Sequence, residues 1–236
     1  MDSYKEEKQG LTNHEVYKKI PRNQYISLRR ASKIPKAIPS MCVLVVKNNK
    51  DGKTLCAECE IVVLGNVEDR LYQKSQCYAP VLKYSSLRLL TAKSVGDKRI
   101  IQQSDCKNAF CNTTLLDDGF TVIQPTIGYL DFQKDEYWLL KKTLYVLRRS
   151  PHDWYNIIKR ILLNMGLKAS THDSCLLSGI LDKPTSHNTI SEDQSQLHVG
   201  LYVENFIFYS SDPSQEALFQ TLIQEHIQVD FMGYVD

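Results

Sequence analysis

The 236-residue chain has no apolar run approaching the length a bilayer demands, and its first residues, Met1 to Gly10, are charged and polar throughout. A spanning helix and a secretory leader are therefore not expected, and the chain reads as soluble and intracellular, in cytoplasm or nucleus. Net charge is scarce as well. Lys and Arg number 29 against 27 Asp and Glu, and the resulting +2 gives no overall attraction to nucleic acid, so any such binding must rest on local patches. A disulfide framework is also missing: seven cysteines, an odd number at irregular spacing, read as reduced thiols. Cys56 and Cys59 form one C-x-x-C pair, but no second pair or Cys/His set follows at zinc-site spacing, and zinc is not expected. No internal repeat is evident.

What the chain does have is a 42% hydrophobic composition, enough for one large domain or two packed subdomains. Residues 1 to 40 are basic and polar with Pro21, Pro35 and Pro39, which predicts an irregular or loosely helical lead-in. The β-branched runs Met41 to Val46 and Glu60 to Leu64 flank the turn formers Asn48 to Gly52 and predict a hairpin. An imperfect helix follows from Pro80 to about Gly96. Arg99 to Ser104 reads as a strand delivering Asp105 to its end, and Gly119 to Gln124 and Tyr137 to Lys142 read as further strands around a loop with Pro125 and Gly128.

The clearest helix has Ser150 as N-cap and Pro151 at its first position and stops at Gly166. Its apolar stripe is Trp154, Ile157, Ile158, Ile161, Leu162 and Met165. Ser174 to Leu181 predicts a strand, and Lys183 to Gln196 a polar surface loop. From Leu197 to Val203 the apolar residues alternate with polar ones, and Phe206 to Tyr209 returns at once, which places Glu204 and Asn205 at the tip of a tight hairpin. A last helix begins at Asp212 and Pro213 with Ala217, Leu218, Leu222 and Ile223 turned inward.

Asp105 at a strand end, Glu204 at a hairpin tip and a polar face with the small Gly200 suggest one arrangement. Phosphoryl transfer by two magnesium ions needs carboxylates converging from different strands. The plainer alternatives are a helix N-cap for Asp105 and an ordinary exposed turn for Glu204-Asn205. The residues alone stop at a mixed α and β domain with an acidic site as a candidate.

Several blocks in order resemble the reverse transcriptases of copia-type long-terminal-repeat retrotransposons. They are Pro35 to Cys42, Ile61 to Asn66, Tyr78-Ala79-Pro80-Val81, Asp105-Cys106-Lys107-Asn108-Ala109-Phe110, Leu144 to Pro151, Trp154-Tyr155, Asp173 to Leu176, and Leu201-Tyr202-Val203-Glu204-Asn205. The resemblance implies an α+β fold of polymerase fingers and palm, a mixed sheet with helices packed on one face. It implies a lead-in over 1–34, a fingers-like part over 35–98 and a palm-like part over 99–236. The implied partners are an RNA or DNA template-primer and a deoxynucleotide, and the implied cofactor is Mg2+. Asp105 and Glu204 would be the metal ligands, with Asn205 as the third catalytic position. Cys106, through its carbonyl, and Phe110, beneath the sugar, would meet the nucleotide. Tyr202, Gly200, Val146 and Pro151 fall in blocks that face primer or template.

The chain departs from the family at informative places. The hairpin that usually carries Tyr-Val-Asp-Asp reads Tyr202-Val203-Glu204-Asn205, and the two basic residues expected before the Ile-Val-Val-Leu run are Glu58 and Glu60. Cations there would hold a triphosphate, and acids would repel it; on composition alone these two are a solvated strand face. Val146 stands where a small Gly is common. The sequence ends at Asp236, before the thumb, connection and RNase H regions of the family. The expectation is a catalytically impaired polymerase domain, with a non-catalytic nucleic-acid-binding module or a retroelement relic as alternatives.

Overall fold

The computed structural model describes residues 2–49, 51–115, 121–125, 135–181 and 196–234. In chain order, the first stretch forms α1 (Asp2–Asn13), β1 (Tyr17–Pro21), α2 (Arg22–Arg30), β2 (Ile38–Asn48) and β3 (Thr54–Val63). The middle forms α3 (Lys74–Cys77), α4 (Tyr84–Gly96), β4 (Gln102–Cys106), β5 (Val122–Gln124), β6 (Glu136–Leu140) and α5 (Ser150–Asn164). The last stretch forms β7 (Lys168–Ala169), β8 (Leu176–Gly179), β9 (Leu197–Tyr202), β10 (Asn205–Ser210), α6 (Pro213–Gln224) and β11 (Val229–Tyr234). The described residues thus make a mixed α/β architecture of six α-helices and two sheets. No helix among them is long and apolar enough to cross a membrane. The chain divides into two compact units, residues 1–78 with 110–153 and residues 79–109 with 154–236. The predicted polar loop over 183–196 falls, but for Gln196, outside the described residues, as do Gly119, Phe120 and Gly128.

The first unit is built on a five-stranded sheet in the order β1-β6-β5-β2-β3, antiparallel except between β2 and β5. The lead-in is more regular than its polar sequence predicts. It forms two helices and an edge strand, and it buries Leu11, Val16 and Ile20. So few apolar anchors give no visible period; ring stacking holds them in place, Tyr17 on Trp138 at 4.0 Å and Tyr25 on Tyr137 at 4.1 Å. The β2–β3 hairpin is as predicted but longer, and its turn is tied by the Asn49 side chain, which accepts from the backbone N–H groups of Asp51 and Lys53. The reading of all seven cysteines as free thiols is corrected: Cys42 and Cys59 form a disulfide across this hairpin, their Cα atoms 6.3 Å apart. Only the strand register brings these two residues together, and spacing along the chain does not reveal it.

The second unit holds a six-stranded antiparallel sheet in the order β11-β4-β10-β9-β8-β7. Helices lie on both faces, which corrects the expectation of helices on one face. Phe219 of α6 packs against Phe206 and Phe208, whereas Leu90 of α4 packs with Ile101 and Tyr209, whose parity along the strands is opposite. The apolar stripe of α5 is confirmed, with Trp154, Ile158 and Leu162 fully buried. Ser150, however, is the first helical residue, and its hydroxyl donates to the Leu144 carbonyl at 2.8 Å instead of capping. On α6, Asp212 caps as predicted, accepting from Ser214 N–H at 2.8 Å. Its inward face is Gln215, Glu216, Phe219 and Ile223, and Ala217 is exposed. Hydrophobic periodicity misses this face because it includes a buried carboxylate. Glu216 is satisfied by Arg99 at 2.8 Å, by Gln102 at 2.7 Å and by the Ser210 N–H at 2.9 Å.

In the first unit, two loops meet so closely that a Cβ on Gly65 would collide with the Val146 carbonyl. Arg148 fixes this approach by donating to the carbonyls of Gly65 at 2.9 Å and Asn66 at 3.0 Å, and Val63 N–H donates to Tyr145. Val146 pays for the approach with φ +69°, a left-handed backbone that β-branched residues disfavour. Its side chain is 60% exposed, so little packing is lost with it. Val146→Gly is expected to stabilise the protein by roughly 1 kcal/mol, the left-handed penalty less the added glycine entropy. Urea unfolding checks this, and a lower midpoint for the variant would contradict it.

Candidate active site

The second unit brings the predicted acidic positions onto one sheet. β4 runs antiparallel between β10 and β11, and the register sets Asn205 opposite Asp105 on one side and Asp230 opposite it on the other. Tyr202 lies opposite Asn205. Directly opposed residues share a face, so Asp230, Asp105, Asn205 and Tyr202 form a row across four strands at one end of the sheet. Along the same face Gly200 is covered by the protein itself: a Cβ there would lie 2.8 Å from Leu82 Cδ2 and 3.0 Å from Ile207 Cγ1. The small residue at 200 therefore serves internal packing, and Tyr202 remains exposed at the end of the row.

The turn between β9 and β10 is Val203-Glu204, one residue earlier than predicted, and Asn205 is the first residue of β10. Val203 has φ +55°, and holding a branched residue there costs about 1–2 kcal/mol. Two hydrogen bonds oppose that strain. Trp154 Nε1 donates to the Val203 carbonyl at 2.8 Å, and the Cys106 N–H donates to the Glu204 carbonyl at 2.9 Å. Burial pushes the Cys106 thiol well above its ordinary range, and the charges of Asp105 and Glu204 push it further, so both carboxylates act on the one sulfur. The oxygens offered here are the carboxylates of Asp105 and Glu204 and the Asn205 amide, with the Asp230 carboxylate alongside but paired with Lys107, while the buried Cys106 thiol, next along β4, lies on the other face; oxygens of this kind are what magnesium takes. Among the described residues no group of three or more His, Cys, Asp or Glu is arranged to hold a metal. Two carboxylates match magnesium's habit of using one or two protein ligands and completing its shell with water and substrate phosphate.

The other candidates lie in the first unit. Phe110 is 6% exposed, its ring edge-on to Tyr145 at 5.2 Å and its carbonyl accepting from Thr143 Oγ1 at 2.6 Å. Glu58 pairs with Lys47 at 2.7 Å across the hairpin, so part of its charge is neutralised. Glu60 is exposed beside Glu7, whose carboxyl is pushed up by burial and further by Glu60. Val146 occupies the left-handed loop already described, and Pro151 is the second residue of α5. Two neighbours of Asp105 escaped notice in the sequence. Lys107 pairs with Asp230 at 2.8 Å, and its backbone N–H donates to the Gln228 carbonyl. Lys107 sat inside a block already singled out, whereas Asp230 gave no signal, because only the β4–β11 register brings it alongside.

A family model described as reverse transcriptase (RNA-dependent DNA polymerase) matches residues 23–236. The chain belongs to this reverse transcriptase family. It is 26% identical over 173 residues, 73% of its length, to the Retrovirus-related Pol polyprotein from transposon RE1 of Arabidopsis thaliana. It is 25% identical over 171 residues to the corresponding polyprotein from transposon RE2 of the same plant, and 24% identical over 179 residues to that from transposon TNT 1-94 of Nicotiana tabacum. These matches cover 72% and 75% of the chain. The chain spans only 11% to 12% of the length of these curated relatives. The likeness to copia-type Pol polyproteins thus agrees with the blocks seen in the sequence.

In this reverse transcriptase domain the middle blocks brace the hairpin. Leu201 of β9 is bonded twice outside its ladder, its carbonyl accepting from Leu82 N–H at 2.9 Å and its N–H donating to the Cys175 carbonyl at 2.8 Å. Asp173, 4% exposed, ties these segments together by accepting from the N–H of Lys83 at 2.8 Å and of Cys175 at 3.0 Å. Lys83 Nζ donates to the His172 carbonyl. Burial acts to raise the Asp173 carboxyl, but hydrogen bonds from Ser86, Lys83 and Cys175 and the Lys83 charge outweigh it and hold the group below its ordinary value.

A depressed carboxyl contributes stability above its unfolded value, near pH 4, and that contribution is lost as pH falls through the folded value. Asp173→Asn is expected to cost about 1.5–3 kcal/mol at pH 7 and to flatten the loss of stability below pH 4; urea unfolding from pH 7 to 2.5 tests it, and parallel curves for the two proteins would contradict it. Trp154→Phe is expected to cost about 1 kcal/mol and to lower hydrogen-exchange protection at Cys106 and Asn205. Adding Val203→Gly should restore part of that loss, because it removes the strain the indole opposes; strict additivity in the double-mutant cycle would refute the coupling.

Proposed function

We propose that this chain is the fingers-and-palm part of a copia-type reverse transcriptase whose polymerase activity is absent or very low. Its lead-in is residues 1–34, its fingers-like part 35–98 and its palm-like part 99–236. The observation that carries the reading is the register of β4 against β10, which sets Asn205 opposite Asp105 while the Cys106 N–H closes on the Glu204 carbonyl. In the ancestral reaction a primer 3′-hydroxyl attacks the α-phosphate of a deoxynucleotide, pyrophosphate leaves, and an RNA or DNA template directs the choice. Asp105 and Glu204 would hold magnesium, which when bound supplies charge neutralisation at the phosphate oxygens.

The residues themselves argue for weak activity. Because Cys106 pins the Glu204 backbone, the extra methylene of Glu relative to Asp displaces the carboxylate and cannot be absorbed by the chain. Magnesium demands oxygens at about 2.0–2.1 Å, and a misplacement of about 1 Å costs roughly a hundredfold in rate. Asn205 keeps an oxygen beside Asp105 but gives up a negative charge. Glu58 and Glu60 stand where cations would hold the triphosphate, and the Lys47 pair reduces the repulsion at Glu58 only. Tyr202 would lie beside the primer end, and Phe110 would gate the sugar from its place against Tyr145.

Primer extension with magnesium and with manganese tests the reading. The unaltered chain is expected to sit near background, Glu204→Asp with Asn205→Asp to raise incorporation by on the order of a hundredfold, and Glu58→Lys with Glu60→Arg to add a further gain. Asp105→Asn on the reverted background should return it to background. Robust extension by the unaltered chain would overturn the proposed impairment, and extension untouched by Asp105→Asn would overturn the site.

A further inference from the structure

The lead-in carries an uneven charge that the proposed active site does not use. From Val16 to Asn49 there are eight Lys and Arg and no Asp or Glu, so a chain of net charge +2 has −6 over all its other residues. Within the first unit three of the eight are engaged with carboxylates: Lys19 with Glu136 at 3.1 Å, Arg22 with Asp135 at 3.3 Å, and Lys47 with Glu58 at 2.7 Å. Arg29, Arg30, Lys33 and Lys36 pair with no carboxylate among the described residues, and all four are exposed.

Local geometry gathers these four. Helix α2 ends in a left-handed Ser32 at φ +54°, with Lys33 N–H donating to the Leu28 carbonyl and Ser32 N–H to that of Arg29, both at 3.0 Å. The chain then folds back along the helix: Arg29 Nη1 donates to the Ile34 carbonyl at 3.1 Å, and Ala37 N–H donates to the Tyr25 hydroxyl at 3.0 Å. The cations at a helix C-terminus also complement its dipole, which accounts for Arg29 and Arg30 but not for Lys33 and Lys36 beyond it.

We infer that the end of α2 and the turn after it form a docking surface for the sugar-phosphate backbone of a nucleic acid, with Arg30, Lys33 and Lys36 as its phosphate contacts. Charge complementarity selects a polyanion, and the apolar side of α2 selects against a membrane. Tyr25 and Leu28 pack inward against Ile20, Ile34, Ala37 and Val122, and the other large apolar side chain of α2, Ile26, is half-buried, so the helix presents no fully exposed apolar group to insert into lipid. Exposed guanidinium and ammonium groups held on an ordered turn suit phosphate oxygens, and such contacts follow the backbone without reading sequence. The inference rests on the reverse transcriptase reading for its choice of nucleic acid, but it needs neither the acidic row nor bound metal.

Fluorescence anisotropy of a labelled single-stranded RNA, in EDTA and without nucleotide, tests it across 50–200 mM salt. Arg30→Gln, Lys33→Gln and Lys36→Gln together are expected to weaken binding on the order of tenfold at 50 mM and to flatten the log–log salt slope by about 2, near 0.7 per lost phosphate contact. A control of equal charge change in the second unit, Lys98→Gln with Arg160→Gln and Lys168→Gln, should change affinity and slope far less. Circular dichroism of both triple variants establishes that they fold, and an Arg30→Lys single variant, which keeps the charge, should bind as the parent does. Equal loss in the two triple variants, no RNA binding by the parent, or parent binding to anionic vesicles but not RNA would each overturn the inference. Because metal is absent, failure here leaves the Asp105 predictions standing, and failure of those leaves this one standing.

Discussion

The acidic end of the six-stranded sheet depends on a two-residue turn that its own sequence disfavours. Val203 must adopt a left-handed backbone for β9 to reverse into β10 with Asn205 opposite Asp105. A relaxed turn at another position would shift the register, and a shift of one residue would move every side chain of β10 to the other face. Phe206 and Phe208 would then leave the α6 core and Asn205 would leave Asp105. The strain is therefore sustained by tertiary bonds. The Trp154 indole and the Cys106 N–H each fix one of the two turn carbonyls, and β9 is held behind the turn by Leu82 and Cys175.

That dependence explains which parts were legible in the sequence. Alternation in Leu197 to Val203, the stripe of α5 and the cap at Asp212 were readable because each is a local pattern with a local cause. The order of the blocks gave the family, and their structural meaning came only with the fold. Trp154-Tyr155 and Asp173 to Leu176 carry no role in the sequence beyond their place in that order, whereas in the fold Trp154 supports a carbonyl and Asp173 gathers the N–H groups of Lys83 and Cys175. Asp230 and the Cys42–Cys59 disulfide were invisible for one shared reason: both arise from register between strands, a quantity no spacing along a single segment encodes.

The lead-in and α6 depart from their sequence patterns for another reason. Periodicity counts apolar residues, whereas the α1–β1–α2 stretch is fixed by few anchors and two ring stacks, and the inward face of α6 carries Glu216. A buried carboxylate is tolerable only with its bonds complete, and Arg99, Gln102 and the Ser210 N–H complete them. Arg99 and Gln102 lie more than a hundred residues from Glu216 along the chain and Ser210 ends β10, so the face is predictable only once β4 and β10 are known to lie beneath it.

On the proposed reading, the places where the chain leaves the copia pattern share a physical property that bears on how such a domain changes. Glu60 and Val146 are exposed, and Glu58, Glu204 and Asn205 are half-buried. None of the five is in the buried cores. Substitution there costs the fold little, since surface changes away from special features commonly stay within about 0.5 kcal/mol; Val146 is the exception through its backbone. The bracing groups are of the other kind. Trp154, Asp173 and Gly200 are buried, and Gly65 admits no Cβ at all, so their loss would cost more. Changes that abolish chemistry are thus separable from changes that abolish folding. On the proposed reading a polymerase scaffold can outlast its metal site, because the side chains proposed to hold the metal are not among those buried in the cores.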